Sequence, residues 1–340
     1  MNETMPTETE LDEMVRNQNP AATRWFGAML ERTTYKPLQR TYEQNLAHEN
    51  IVKEWPKFDL GSDAISDAEK VCLWDAAYKT LNKHWDPMFQ ETGSCVCQGA
   101  HCATADTMAV DAWEKGEPEE VKWPLFLLLS YGRSRFYANL RGPGSGSFGS
   151  AMAKAVTVDG VLPADFAGLP PWTMRNGGVT WGKSQEIAWS WITDAADKFD
   201  PFQLEARKFP IKSTAKLANA NAVDAALSNG YGVTCASMWG GNMACRVVEG
   251  VLLNQRTTQW AHQMAIRARW KHPKLGRIFW IQNSWGNPHG VCPSGAPLGG
   301  FWVKEAEIDW ICRDEVFAFS GFQGFQKRDR VLQRWRDLIL

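Results

Sequence analysis

The sequence predicts an α+β chain folded as two lobes. Three observations point there: apolar residues recur with helical spacing through the first half, strand-like alternation fills the second, and a Cys, a His and an Asn of complementary chemistry stand in order across the two. Residues 1–60 read as an N-terminal arm with helical extension. Residues 61–340 read as one domain, with a helical lobe over about 61–215, a β lobe over about 216–325 and a tail over 326–340.

Composition bounds the answer. With 44% apolar and 22% charged residues in 340, the chain can bury a large core. A net charge of −1 offers no broad field for nucleic acid or an anionic membrane. The start, MNETMPTETELDEM, has no basic segment leading into an apolar one, so no signal peptide is expected. The longest apolar run, WPLFLLLSY, is far short of the ~20 residues of a membrane span. A cytoplasmic protein, in a host cell or virion if viral, is the expectation, with its eight cysteines as thiols rather than disulfides. Eighteen Trp residues suit cores and contact surfaces.

In order along the chain, Trp25, Phe26, Met29 and Leu30 share a helical face in the arm. Residues 62–85 read as one helix capped by Asp63 or Ser66. From Ser94 the helical pattern resumes through Cys95, Gly99, Cys102, Asp106, Val110 and Trp113 and stops at Gly116, which sets Cys95 at a helix N-terminus. Arg133 and Arg135 in YGRSR read as the basic end of a helix. GPGSGSFGS, 142–150, is a glycine loop leading into a helix at 150–156. A Trp- and Pro-rich stretch at 168–210 carries an amphipathic helix near 184–198. Residues 220–230 form a helix closed by Gly230. Strands are expected at 231–239, 262–270, 276–285 and 299–308, with a last one within 317–325.

The chemistry lies in Cys95, His262 and Asn283. A helix N-terminus and a neighbouring imidazolium favour a thiolate. The same imidazole can return the proton to a leaving amine, held in orientation by an Asn oxygen. A backbone N–H at the nucleophile and a nearby Gln amide can stabilise the oxyanion.

GSC at 93–95, His262 and NSWG at 283–286 resemble the papain-like cysteine peptidases (peptidase C1 type). The likeness extends to GSGSFGSAMAKAV and DGVLP, to VDAALSNGYGVTCAS and to GGFWV, over roughly residues 84–310, and is similar to phage and bacterial members in its YGRSR segment and FAFSGF tail. The resemblance implies a two-lobe fold with a helical N-terminal and an antiparallel β C-terminal lobe. It implies a thiol-dependent peptide or amide hydrolase with Cys95 as nucleophile, His262 as general base and acid, and Asn283 orienting His262. Trp285 would shield the Asn–His bond, Gln90 would donate to the oxyanion, and Gly144, Ser145 and Gly146 would line the substrate cleft. No cofactor or metal is implied. The chain departs from the family in placing Gln90 five residues before the Cys rather than six, and in carrying Val96 and Thr92 where an aromatic and a disulfide Cys usually stand.

Other readings compete. Cys95, Cys97, His101 and Cys102 have zinc-ligand chemistry, but no second half with ligand spacing exists, and the four point in different directions around a helix. Cys97, His101 and Cys102 then read as helix packing. A papain-like fold can also be kept as an assembly or binding module. On that reading the chain is a structural or interaction protein of a large assembly such as a phage virion, contacting partners through the arm and the Trp-rich insert. On the enzymatic reading the partner is a polypeptide substrate. Neither calls for nucleic acid or membrane.

Overall fold

The computed structural model describes residues 55–88, 94–117, 125, 127–140, 146–169, 201–209, 211–242, 245–287 and 292–328. Most of the arm, Gln90, Gly144, Ser145 and the helix expected at 184–198 lie outside the described residues.

The class is α+β. The helices are α1 (Trp74–Leu81), α2 (Cys95–Lys115), α3 (Leu127–Tyr137), α4 (Gly149–Val158), α5 (Pro201–Ala206), α6 (Ala220–Ser228) and α7 (Glu305–Ile311). The strands are β1 (Lys70–Cys72), β2 (Ser213–Lys216), β3 (Gly232–Gly241), β4 (Arg246–Val248), β5 (Val251–Leu253), β6 (Arg256–His272), β7 (Gly276–Gln282), β8 (Gly300–Lys304) and β9 (Glu315–Ser320). They form one sheet in the order β2-β9-β3-β6-β7-β8-β5-β4, with β1 extending the β3 edge of β6. Its pairings are antiparallel except β5 with β8.

The helix α2 is the centre of the molecule. Small residues line its length, and its side chains are buried on nearly every side. It packs on β3 and β6 and meets α1, α3 and α4 on its other faces, the setting in which a helix needs no polar stripe. Its approach to the sheet is close enough to demand glycine. A Cβ on Gly99 would stand 2.7 Å from the carbonyl oxygen of Met264 in β6. A Cβ on Gly232 in β3 would stand 1.9 Å from that of Ala103. Gly116, at φ +76°, ends the helix as expected.

Buried ion pairs rivet these layers. Arg267 of β6 makes a two-pronged contact with Asp106 of α2, at 2.8 and 2.7 Å. This arginine sits where the pairing of β6 with β7 slips by one residue between Ile266 and Ala268, and its carbonyl accepts the N–H of Leu73. A bulge of this kind re-aims a side chain that regular pleating would send elsewhere.

Two elements differ from the sequence expectation. Residues 62–85 are not one helix: a single 3-10 turn at Ser62–Ala64 is followed by β1 and then by α1, which stops at Asn82 with φ 52°. The cause is the fully buried Arg269, whose guanidinium bonds the carbonyls of Ser66, Ala68 and Glu69 and the carboxylate of Asp224. An intact helix would tie up those carbonyls in its own backbone bonds, so the tertiary demand overrides local propensity. The stretch expected as a strand over 299–308 divides: β8 ends at Lys304 and α7 begins at Glu305. Glu305 and Glu307 in the first turn favour a helix start, and Glu307 is held there by the indole of Trp239 at 2.6 Å.

Candidate active site

Four elements converge on the site. Cys95 opens α2, after Ser94, whose carbonyl accepts the first helical bonds from Cys97 and Gln98. Its thiol is buried, and the N–H of Gln263 points at its sulfur, as do those of Val96 and of Cys95 itself. Gln263 is the residue after His262 in β6, so the helix start and the histidine strand meet here. The contact at Gly99, one turn further along α2, fixes that approach.

The pairing of β3 with β6 slips just beyond Ser237↔His262, before Trp239↔Gln259. This extra residue in β6 adjoins His262. The strand is pinned on the far side of the slip by Gln263, whose amide N–H donates to Thr234 Oγ1 at 2.6 Å.

His262 Nε2 lies 2.8 Å from Asn283 Oδ1. The same Asn oxygen accepts the backbone N–H of Ser284 at 2.7 Å, which identifies it as the carbonyl oxygen of the amide. Nε2 is therefore the protonated nitrogen, and Nδ1 is left as the basic one. Asn283 stands just past the end of β7, its own N–H bonded to the Gly299 carbonyl at 3.1 Å. Trp285 lies over the imidazole, with ring centroids 4.8 Å apart and planes 30° apart, and Trp260 leans on Trp285 at 6.2 Å. His262, Asn283 and Trp285 are all buried.

Electrostatics depart from the sequence expectation. Burial pushes the Cys95 thiol up to about 11; the three backbone N–H groups oppose this, as a helix start should, without overcoming it. Burial pulls His262 down to about 4, opposed by the bond to Asn283. Burial thus favours the neutral form of each group, against the charge that the helix start favours on the thiol.

The remaining candidates separate clearly. Gln90, Gly144 and Ser145 lie outside the described residues. Gly146 is described, at φ +95°. Cys97 Sγ meets Met152 Sδ at 3.5 Å, His101 Nε2 bonds Ser130 Oγ at 2.9 Å, and Cys102 packs with Met88 and Ala265. Among the described residues no group of three or more His, Cys, Asp or Glu is arranged to hold a metal ion, and no helix is long and apolar enough to cross a membrane.

Sequence reasoning missed the two side chains that hold Gly146, which are Tyr131 and Arg135. Arg133 and Arg135 stand near the C-terminal end of α3, as expected, with Arg135 in its last turn, and both are buried there. Arg133 pairs with Asp159 at 2.9 Å, and Arg135 donates to the Gly146 carbonyl at 2.7 Å. Tyr131 accepts the Gly146 N–H at 2.9 Å. The only signal in the sequence was the i, i+4 spacing of Tyr131 and Arg135, which puts both on one helix face.

No family model matches the sequence, and no curated protein matches it. Solved structures do. Xylellain, a cysteine protease from Xylella fastidiosa, matches with a TM-score of 0.53 at 17% identity, over 79% of this chain and 92% of that one. The digestive procathepsin L 3 of Tenebrio molitor larval midgut matches at 0.47 and 11% identity, over 94% of each chain. The bromelain protease from Ananas comosus, solved in complex with the E64 inhibitor, matches at 0.44 and 13% identity, over 74% of this chain and 99% of that one. The likeness to xylellain, added to the central helix on an antiparallel sheet, shows that this chain has the fold of the papain-like cysteine proteases.

Proposed function

We propose that the protein is a thiol-dependent hydrolase of peptide or amide bonds, with Cys95 as nucleophile, His262 as general base and acid, and Asn283 orienting the imidazole. The observation that carries the reading is the buried bond from His262 Nε2 to Asn283 Oδ1 beneath Trp285, in a strand whose next residue touches the Cys95 sulfur.

In the reaction the Cys95 sulfur bonds to the substrate carbonyl carbon while its proton passes to His262 Nδ1, and the carbonyl π pair moves onto oxygen. The Cys95 N–H at the helix start, and on this reading the Gln90 amide, stabilise that oxyanion. Collapse breaks the C–N bond, and the amine leaves with the proton from His262. Water, deprotonated by His262, then cleaves the thioester, releasing the acid and restoring the thiol. Burial disfavours the charged form of each group, so on this reading thiolate and imidazolium form together, each stabilising the other, when substrate is present.

The test is hydrolysis of a fluorogenic peptide library by wild type and by Cys95→Ala. Turnover that disappears in the variant supports the reading. Turnover that persists in Cys95→Ala, or its absence from wild type under reducing conditions, sinks it.

A further inference from the structure

Seven of the eight cysteines are buried thiols, and Cys245 alone is half-buried. It stands just before β4, in the hairpin of β4 and β5 that ends the sheet. That hairpin is lightly held. β5 meets β8 at one register pair, Leu253 with Trp302, and the Asn254 N–H donates to the Trp302 carbonyl at 2.8 Å. A two-stranded hairpin is marginal by itself.

A second thiol comes from another segment. Cys292 lies between Asn283 and β8, in a stretch whose ends are joined by the Asn283 N–H and the Gly299 carbonyl at 3.1 Å. Its Sγ is 2.9 Å from Ser294 Oγ, which also accepts the indole N–H of Trp302 at 2.9 Å. Cys292 belongs to the buried cluster of Trp74, Trp280 and Trp302, and Cys245 packs against that same cluster. Asn254 links Cys245 to the Trp302 carbonyl, as Ser294 links Cys292 to the Trp302 indole. The two sulfurs also sense each other. Burial pushes the Cys245 thiol up to about 12, a bond with the Asn254 side chain opposes this, and charge on Cys292 adds to it. A reachable thiol beside a buried one is the arrangement of an attacking and a resolving cysteine.

We propose that Cys245 and Cys292 are a disulfide-forming pair that, in oxidising surroundings, ties the segment behind Asn283 to the β4–β5 hairpin. The proposal goes beyond the functional reading and does not rest on it. The oxidant is a low-molecular-weight disulfide. The Cys245 thiolate attacks one of its sulfurs and displaces a thiolate, leaving a mixed disulfide. The Cys292 thiolate then attacks the Cys245 sulfur, forms the Cys245–Cys292 bond and displaces the second thiolate. The two protein thiols give up two electrons and two protons, and the oxidant leaves as two thiols. A raised Cys245 pKa keeps the first step slow, so the pair is a brace and not a rapid sensor. The cysteines are far apart in sequence, so the cross-link restricts the unfolded chain and stabilises the fold.

The test incubates the folded, full-length protein with oxidised glutathione without denaturant, then maps its peptides without reduction. The expected product is a Cys245–Cys292 cross-linked peptide, two hydrogens lighter than the reduced pair and formed over hours. The urea midpoint should rise on oxidation and return on adding dithiothreitol, and amide exchange at Asn283 should slow. Cys245→Ser should lose the cross-link and the midpoint shift while keeping the midpoint of reduced wild type. A glutathione adduct that persists on Cys245 overturns the proposal, as do thiols that both stay open to alkylation. So does a cross-link that forms only in urea, or one that moves neither the midpoint nor the exchange. Mapping of wild type alone decides the pairing if Cys245→Ser fails to fold.

Discussion

At the scale of single residues, the site depends on which states burial permits. His262 is held neutral by its surroundings, and Asn283 works against that, raising its pKa while fixing the tautomer. Asn283→Ala should leave the Nε2 proton buried without its acceptor, a loss of about 1–3 kcal/mol. The expected fall in kcat/KM is about ten- to a hundred-fold. Because the Asn283 bond raises the His262 pKa, its removal should also shift the acid limb of the pH–rate profile to lower pH. A variant with unchanged kcat/KM and an unmoved acid limb would show that Asn283 is a turn former only. These residues were legible because their signals are local: a strand ending in NSWG and a helix opening on Cys carry their own context. The protonation state was not legible, since burial comes from elements far away in sequence.

At the scale of elements, α2 positions Cys95, the proposed nucleophile, and Gly99 sets the distance of the helix from β6. Gly99→Ala would bring a Cβ to 2.7 Å from the carbonyl oxygen and 2.9 Å from the carbonyl carbon of Met264, strand backbone that cannot swing aside as a side chain could. The helix must retreat from the sheet, taking Cys95 away from His262. The expected cost is about 1–3 kcal/mol of stability, with a loss of peptide hydrolysis greater than that cost explains. Denaturant midpoints and kcat/KM on the same preparations check this; a destabilised variant with full turnover per folded molecule would refute the positioning role. Periodicity made α2 visible end to end, with Gly116 as its stop. It misread 62–85, where the spacing is helical but Arg269 claims the carbonyls that a helix would use. It also could not pair Tyr131 and Arg135 with Gly146, because nothing in α3 announces a partner in a loop beyond its end.

At the scale of the whole molecule, one core couples the helices to the sheet, and two buried histidines make it sensitive to acid. Burial lowers His262 to about 4 and His101 to about 3 from an ordinary value near 6.5. Since the folded values are depressed, the unfolded chain takes up protons first. Stability from these two groups is therefore complete above pH 6.5 and falls as pH drops toward 4 and then 3. His101 alone should cost about 2 kcal/mol between pH 6.5 and 5. His101→Gln, which keeps a polar group opposite Ser130, should flatten the urea-midpoint profile across that interval; a profile parallel to wild type would contradict the depressed value. The α+β class and the strands β3, β6, β7, β8 and β9 were readable at this scale because each is a run rich in apolar residues, buried over most of its length, whereas the short β2, β4 and β5 gave no such signal. The joining of β1 to β6 was not, because three residues give no period to read.

The central claim is that His262 activates Cys95 and no other thiol, and it can be tested in one measurement. The protein carries eight cysteines, so the site of reaction is itself informative. Incubation with a peptidyl epoxide, followed by intact mass and peptide mapping, should give one adduct on Cys95 in wild type and a rate at least a hundred-fold lower in His262→Ala. An adduct on another cysteine, or equal rates in the two proteins, would contradict the account.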